Sequence, residues 1–475
     1  MASTPESGGS STPRRGGSRR PDLETVFTIN EDGSRNSLHP ADVRGRWQKR
    51  KAAIFTFLIA LYVALPWITI GGHPAVLVDI PGRKAFILGR SFTNQDFYLM
   101  FFVVSGIGFG LFVITALFGR AWCGFACPQT VWLEGVFRKI ERWLEGPREV
   151  RIRRNQGPWT GDKFVRKAAK TAIFAVLAVV LAHLFLAYFF PIRELLAAIT
   201  GPPAAHWTAF LWMAAMTAIL FFNFAWFREQ TCLVVCPYGR LQSALIDSET
   251  IIIGYDVRRG EPRGKLGETT GDCVDCRRCV QVCPTGIDIR NGLQLECVGC
   301  ANCIDACDEI MLRSGRAPGL IRYDSQKGLD GLPRRFWRGR VFLYAFLGLL
   351  GLTVASIAGG RRVPFEARAL RSPGMPYTLE GEILRNMYTL HLQNKQDAPR
   401  VYFIKPAAAP PAGLPSPQFV LSMSRVVLDA MGETRVAAFA TLPRAEYREA
   451  FPVTFTVTDS TARTSQDIEV RFLGP

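Results

Sequence analysis

Residues 273–307 read CVDCRRCVQVCPTGIDIRNGLQLECVGCANCIDAC. The cysteines fall into two runs: Cys273, Cys276, Cys279 and Cys283, followed by Pro284, then Cys297, Cys300, Cys303 and Cys307. Two Cys-x-x-Cys steps followed by Cys-x-x-x-Cys is the spacing of bacterial ferredoxins with two 4Fe-4S clusters. Three thiolates two residues apart wrap one cubane. The fourth points away and reaches the other cluster. Cys273, Cys276, Cys279 and Cys307 are therefore expected to hold one cluster, and Cys297, Cys300, Cys303 and Cys283 the other. Zinc ribbons use pairs of Cys-x-x-Cys rather than triplets with a distant fourth, so two zinc sites fit the pattern poorly. Asp308 stands after Cys307 where the first run has proline. The crossed ligation does not depend on that residue.

Around this segment the apolar residues are clumped. A hydrophobic fraction of 48% and a mean hydropathy of +0.11 fit either a soluble or a membrane protein, so their distribution decides. Ala52–Ile70, Phe97–Phe118, Thr171–Phe190, Trp207–Phe227 and Val341–Ala358 are long and almost uncharged. Each is about the length that crosses a 30 Å hydrocarbon core as a helix. The net charge of +17 would suggest nucleic acid in a soluble chain, but here the positive-inside rule accounts for it. Arg120–Lys167 and Arg228–Gly339 carry 11 and 16 Lys/Arg, against 3 and 1 in Gly71–Asp96 and Pro191–His206. The N-terminus and the cluster segment are thus expected in the cytoplasm, and the tail after the fifth span outside. The first apolar run has no small-residue cleavage pattern and reads as a retained signal anchor.

The expected organisation follows: a disordered basic arm over 1–50, a spanning hairpin over 51–119, and a cytoplasmic segment over 120–167. A second hairpin (168–228), a cytoplasmic ferredoxin-like segment (229–339), a fifth span (340–360) and a tail (361–475) complete it. Trp122–Leu144 has apolar residues at helical spacing with Arg138, Lys139 and Arg142 between them, the pattern of an amphipathic helix on the inner leaflet. The tail has no cysteine, and alternating runs at Glu382–Gln393, Val401–Lys405, Phe419–Ser424, Thr434–Phe439, Val453–Thr458 and Ile468–Phe472. These are the marks of an immunoglobulin-like β-sandwich. The fold class expected is a multi-domain integral membrane protein: five transmembrane α-helices, a cytoplasmic two-cluster ferredoxin-like domain and an external all-β sandwich.

The remaining cysteines form an internal repeat. Each hairpin ends in an arginine and then Cys-x-x-x-Cys-Pro: Arg120, Cys123, Cys127, Pro128 and Arg228, Cys232, Cys236, Pro237. Spacing i, i+4 puts both sulfurs on one helical face. Soft thiolates at the inner membrane face select Cu(I), zinc or iron–sulfur, and the two arginines favour the thiolate form. Two buried structural thiols at each place is the plainer reading, and if the pairs converge they make one four-thiolate site. All the cysteines lie on the expected cytoplasmic side, the reverse of a disulfide framework. Histidines are few (His39, His73, His183, His206, His391), and no pair stands out for haem.

With these motifs in hand, the chain resembles the CcoG/FixG/RdxA family of cytochrome c oxidase accessory proteins. The resemblance rests on GGHPAVLVDIPGRKAFILG, GRAWCGFACPQTVW, REQTCLVVCPYGRLQSALID, the two cysteine runs and the tail, and covers nearly everything after residue 25. It implies assembly of a cbb-type haem–copper oxidase in the bacterial inner membrane, with reduction of Cu(II) to Cu(I). The soft thiols of Cys123, Cys127, Cys232 and Cys236 are the expected copper site. The expected partners are oxidase subunits or copper-delivery proteins, an unidentified cytoplasmic electron donor and membrane lipid, with no nucleic acid. A quinol-oxidising subunit feeding a periplasmic reductase is the alternative electron-transfer reading. A non-redox assembly scaffold is the third. The charge asymmetry makes the topology testable. Reporters fused after Arg362 should be active only outside the cytoplasm, and those near Gly260 only inside; the opposite pattern would overturn the placement of the cysteine runs.

Overall fold

The structure is a computed structural model that describes residues 38–93, 96–265, 271–335, 337–371, 375–406, 415–461 and 464–475. Most of the basic arm, residues 1–37, lies outside the described residues. Five helices are long and apolar enough to cross a membrane: Arg46–Trp67, Tyr98–Phe118, Gly161–Leu186, Pro203–Phe227 and Gly339–Gly360. Large side chains such as Phe101, Ile107, Phe346 and Leu352 point out of the protein, as lipid-facing residues do. The chain is a multi-pass membrane protein by these helices.

Two ends differ from the expected windows. The first helix begins at Arg46, inside the basic stretch, and ends at Ala64, because Leu65–Pro66 and the glycines at 71 and 72 favour tighter and extended backbone. The expected disordered arm therefore stops short of residue 50. Ala41 is buried with Val282 and Ala306, and its N–H donates to the Gln281 carbonyl. The third span starts at Gly161, adding turns that carry Lys163, Arg166, Lys167 and Lys170.

The chain divides into two compact units, one of residues 1–64, 106–186 and 197–349, the other of residues 65–105, 187–196 and 350–475. In the first, Phe137 stacks on Phe224 at 4.3 Å and meets Phe174 edge-on at 4.9 Å, all three buried. The segment expected to lie on the inner leaflet is thereby packed against the third and fourth spans. Its helix Arg138–Glu145 buries Arg138, Glu141 and Glu145 and leaves Lys139 and Arg142 exposed. The Glu141 carboxylate faces Arg228 at 3.1 Å, Arg151 at 3.4 Å and Lys170 at 3.4 Å, and Glu145 faces Lys170 at 2.8 Å. Arg138 pairs with Glu229 at 3.1 Å and with Glu134. Periodicity reveals an apolar face. It does not reveal that the charged face meets partners up to 146 residues away.

The cysteine-rich part of this unit is held by an antiparallel ladder, Ile252–Tyr255 with Ile321–Asp324, and by the helix Asn302–Arg313. Asp305 on that helix accepts from the Trp47 and Gln48 N–H groups at 3.2 and 2.8 Å, so it caps the first span from outside. A carboxylate is favourable at the positive end of a helix.

The second unit contains a three-stranded sheet, Val76–Asp79, Lys84–Ile87 and Arg90–Thr93, which the turn-rich sequence hid. It also contains the all-β tail. One sheet runs Gln418–Leu421, Glu433–Pro443, Ile383–Asn394 and Phe365–Arg371, with Thr378–Glu380 beside Ile383–Asn394. The other runs Arg425–Leu428, Arg400–Pro406, Phe451–Asp459 and Ser465–Phe472. Strict burial alternation along Phe451–Asp459 places Phe451, Val453, Phe455 and Val457 in a core with Tyr388 and Tyr402. Phe365–Arg371 is a weak strand signal in the sequence, because only Phe365 among its inward residues is large, the others being Ala367 and Ala369, and the apolar Leu370 faces outward.

The Glu141 network makes a prediction. Burial alone would raise this carboxyl, but Arg228, Lys170 and Arg151 hold it down at about 2. It is charged at neutral pH, and its stabilisation is lost only as pH falls from about 4.5 towards 2. Glu141→Gln should cost about 3–5 kcal/mol by leaving buried cations unpaired. The drop in melting temperature of the detergent-solubilised protein should be the same at pH 6 and pH 8; a drop that disappeared across that range would contradict the assignment.

Candidate metal centre

The two cysteine runs fold back on each other as a local repeat. Asp275 and Arg277 flank Cys276 with positive φ, and Gly299 and Ala301 flank Cys300 in the same way. Alternating right- and left-handed residues turn successive N–H groups towards one point. The Gly299, Asn302 and Val280 N–H groups accordingly face the sulfurs of Cys297, Cys300 and Cys279.

The thiols gather around two small apolar cavities. One is walled by Cys273, Cys276, Cys279 and Cys307, with Tyr255, Met311 and Leu320. The other is walled by Cys283, Cys297, Cys300 and Cys303, with Ile253, Ile287 and Val298. Cys279 reaches the wall of both. Cys283 lines the cavity of the second run and Cys307 that of the first. Burial pushes the thiols of Cys279, Cys297 and Cys307 up to about 12 and that of Cys300 to about 11. Cys303 is raised well above the ordinary thiol value by the same cause. Such groups ionise only when a metal displaces the proton. Four soft donors per cavity in apolar walls fit an iron–sulfur cluster.

The Cys-x-x-x-Cys-Pro pairs do not sit on continuous helices as their spacing suggests. Cys123 lies on the short helix Ala121–Phe125, the chain breaks at Ala126, and Cys127 is extended (φ −62°, ψ 127°). Cys232 lies in a wide turn at Thr231–Val235, and Cys236 is extended (φ −68°, ψ 108°). Each second cysteine caps a new helix, with Pro128 or Pro237 at its first position, where a missing N–H costs nothing. The break turns the pairs towards each other. The Cys232 thiol is raised to about 12 by burial and then by its neighbours Cys127, Cys123 and Cys236. Cys123 is raised to about 11 by burial, against the pull of Arg120, with Cys127 and Cys236 also beside it. Its Sγ–H donates to Gln242 Oε1 at 3.1 Å. The four thiols thus neighbour one another as a four-thiol centre, and as placed no three of them stand close enough together, among the described residues, to hold a metal ion.

The arginines of the repeat have parted. Arg120 faces Cys123 and Cys297. Arg228 forms a two-pronged contact with Glu141 at 3.1 Å for each bond, so its charge serves the buried network and not the thiols. Residues missed from the sequence hold the centre together. Gln129 and Asn223 exchange amide hydrogen bonds of 2.7 and 3.2 Å across the repeat, and Gln129 also donates to the Arg228 carbonyl at 3.0 Å. Asn223, polar and at the end of an apolar run, was the available signal. Gly124, between Cys123 and Cys127, lies against the loop of Cys300: a Cβ there would be 2.5 Å from the Gly299 carbonyl oxygen. His183 bonds the Val179 carbonyl of its own helix, and His73 stacks on Phe86.

Comparison with known proteins agrees with this description. Residues 227–326 match the family described as "4Fe-4S dicluster domain", and residues 99–147 one described as "4Fe-4S binding domain". Residues 356–475 match the IG-like fold at the C-terminal of FixG. Protein RdxA of Cereibacter sphaeroides is 36% identical over 377 residues, 76% of this chain and 80% of its own. Protein RdxB of the same organism is 38% identical over 408 residues, 81% of this chain and 84% of its own. Nitrogen fixation protein FixG of Rhizobium meliloti is 39% identical over 323 residues, 64% and 61% of the two chains. A FixG-related protein from Vibrio parahaemolyticus, known by crystal structure, is 17% identical with a TM-score of 0.21, covering 24% of this chain and 97% of its own.

The crossed grouping predicts that Cys283→Ser and Cys307→Ser damage different clusters. After anaerobic purification each should lose iron, and the EPR signals of the reduced variants should differ from each other. If either kept the full iron content and an unchanged spectrum, that ligand assignment would be wrong.

Proposed function

The chain belongs to the FixG/RdxA family, and from that premise we propose that this membrane-bound iron–sulfur electron-transfer protein reduces Cu(II) to Cu(I) for assembly of a cbb-type cytochrome c oxidase. One observation carries the reading. The four-thiol centre of Cys123, Cys127, Cys232 and Cys236 has its backbone in contact, at Gly124, with the loop of Cys300. Two 4Fe-4S clusters on the assigned cysteine sets would supply one-electron transfer. Cu(II) is the substrate: it takes one electron at the thiols and leaves as Cu(I). The electron comes from a cytoplasmic one-electron donor.

The residues of the chain do the rest. Soft thiolates stabilise the cuprous product over the cupric substrate. Arg120 offsets charge at Cys123 as copper displaces its proton. Gln242, wholly buried and bonded to Cys123, fixes the direction of that sulfur. Positive charge in the segments around the cysteines favours the cytoplasmic side of a bacterial inner membrane. The sandwich then lies in the periplasm, where an oxidase subunit or a copper-delivery protein would dock.

A second occupant of the same thiols has one observation in its favour: residues 99–147, which hold Cys123 and Cys127, match a 4Fe-4S binding family. Changing all four of these cysteines to Ser tells the two apart. The copper reading expects copper binding to vanish, iron to stay near about eight atoms per chain, and Cu(II) reduction, followed with a Cu(I)-specific chelator, to fall at least about tenfold. A fall of about four irons would favour a cluster at the four thiols. A stable variant that kept its iron and still bound and reduced copper at the normal rate would contradict both.

A further inference from the structure

Lys51 lies in the first span and its side chain is 2% exposed. Its ammonium donates to Asn302 Oδ1 at 2.5 Å and to the Cys300 carbonyl at 3.5 Å, both neutral oxygens. Among the described residues no carboxylate comes within ion-pairing distance of it. Glu134, the other charged group that faces Cys300, is already paired with Arg138. Burying an ammonium against neutral oxygens alone is costly, so the fold needs a negative charge at this place. The cavity of Cys283, Cys297, Cys300 and Cys303 is where that charge would sit.

We propose that Lys51 is the counter-charge of the cluster held by Cys283, Cys297, Cys300 and Cys303, and that it raises this cluster's reduction potential so that electrons settle beside the four-thiol centre. The proposal rests on the cluster reading above. A cluster bound by four thiolates is anionic and gains a further negative charge on reduction. A fixed cation in a low-dielectric wall therefore stabilises the reduced form more than the oxidised one. Arg120, facing Cys297, adds to the same effect.

The other cavity has the opposite surroundings. Its neighbouring cation is Arg290, which is buried but paired with Asp288 at 2.6 Å and with Asp275. Asp288 also faces Cys279, and Asp308 faces Cys307. Its Cys276 is exposed, which opens this end of the pair to a soluble donor. An electron entering there would run towards Lys51 and onwards to Gly124 and Cys123.

The test is an EPR-monitored redox titration of the full chain, purified anaerobically in detergent, with iron counted for every sample. Lys51→Met should move one midpoint to more negative potential and leave the other in place. The expected size is at least a tenfold change in the oxidised-to-reduced ratio, or about 59 mV for one electron. Lys51→Arg should keep the wild-type midpoint. Asn302→Asp, which leaves Lys51 in place but gives it a carboxylate, should move the same midpoint in the same direction, and it carries the test if Lys51→Met fails to accumulate. Full iron content with neither midpoint moved by Lys51→Met or Asn302→Asp would overturn the proposal, as would equal movement of both. A wild-type protein with iron for only one cluster would overturn the cluster reading itself, and the proposal with it.

Discussion

No side chain fits between Gly124 and the carbonyl of Gly299, and this close approach joins two parts of the chain far apart in sequence. On one side is the loop between two cysteines at the end of a spanning hairpin. On the other is the turn that presents Cys300. Gly299 has positive φ, and a Cβ on it would meet the Arg120 carbonyl at 2.9 Å, so small residues are required on both faces of the contact. The Tyr323 hydroxyl donates to the Gly299 carbonyl at 2.7 Å and fixes it. Without this contact the thiol groups would be separate sites. With it they lie in series.

The surroundings hold that series rigid by burying charge. Asp305 caps the first span, Glu141 gathers Arg228, Arg151 and Lys170, and the Gln129–Asn223 amides clasp the two repeats. Each device joins a spanning helix to a segment beyond its end. The repeat has diverged to make this possible. One of its arginines stays with the thiols, and the other, at positive φ (Arg228, 49°), is buried against Glu141 in the network.

Much of this was legible in the sequence because the ligand chemistry dictates spacing. Three cysteines two apart and a fourth three further on suggest which sulfurs can share a cavity, and Cys283 and Cys307 each line the cavity of the other run, with Cys279 lining both. The spans were legible as composition, their ends less so, because Arg46–Lys51 and Lys163–Lys170 are polar residues that continue an apolar helix. The helix 138–145 was legible in part: Lys139 and Arg142 are exposed, as a charged stripe suggests, whereas Arg138, Glu141 and Glu145 are buried against distant partners. The i, i+4 spacing of the paired cysteines misled. The prolines that follow Cys127 and Cys236 restart the helix and turn the sulfurs together, a consequence of Pro at N1 that the sequence carried and periodicity ignored. Lys51 and Gly124 left no local signal, since their importance lies in what a distant loop places beside them.

The central claim is that copper meets sulfur at the four-thiol centre and is reduced there by electrons held in the same chain. X-ray absorption at the copper edge tests it most directly. The reduced, anaerobic protein is mixed with substoichiometric Cu(II), and the spectrum is recorded with no added reductant. The account predicts a Cu(I) edge with sulfur in the first coordination shell. A Cu(II) edge, or a shell of nitrogen and oxygen, would contradict it.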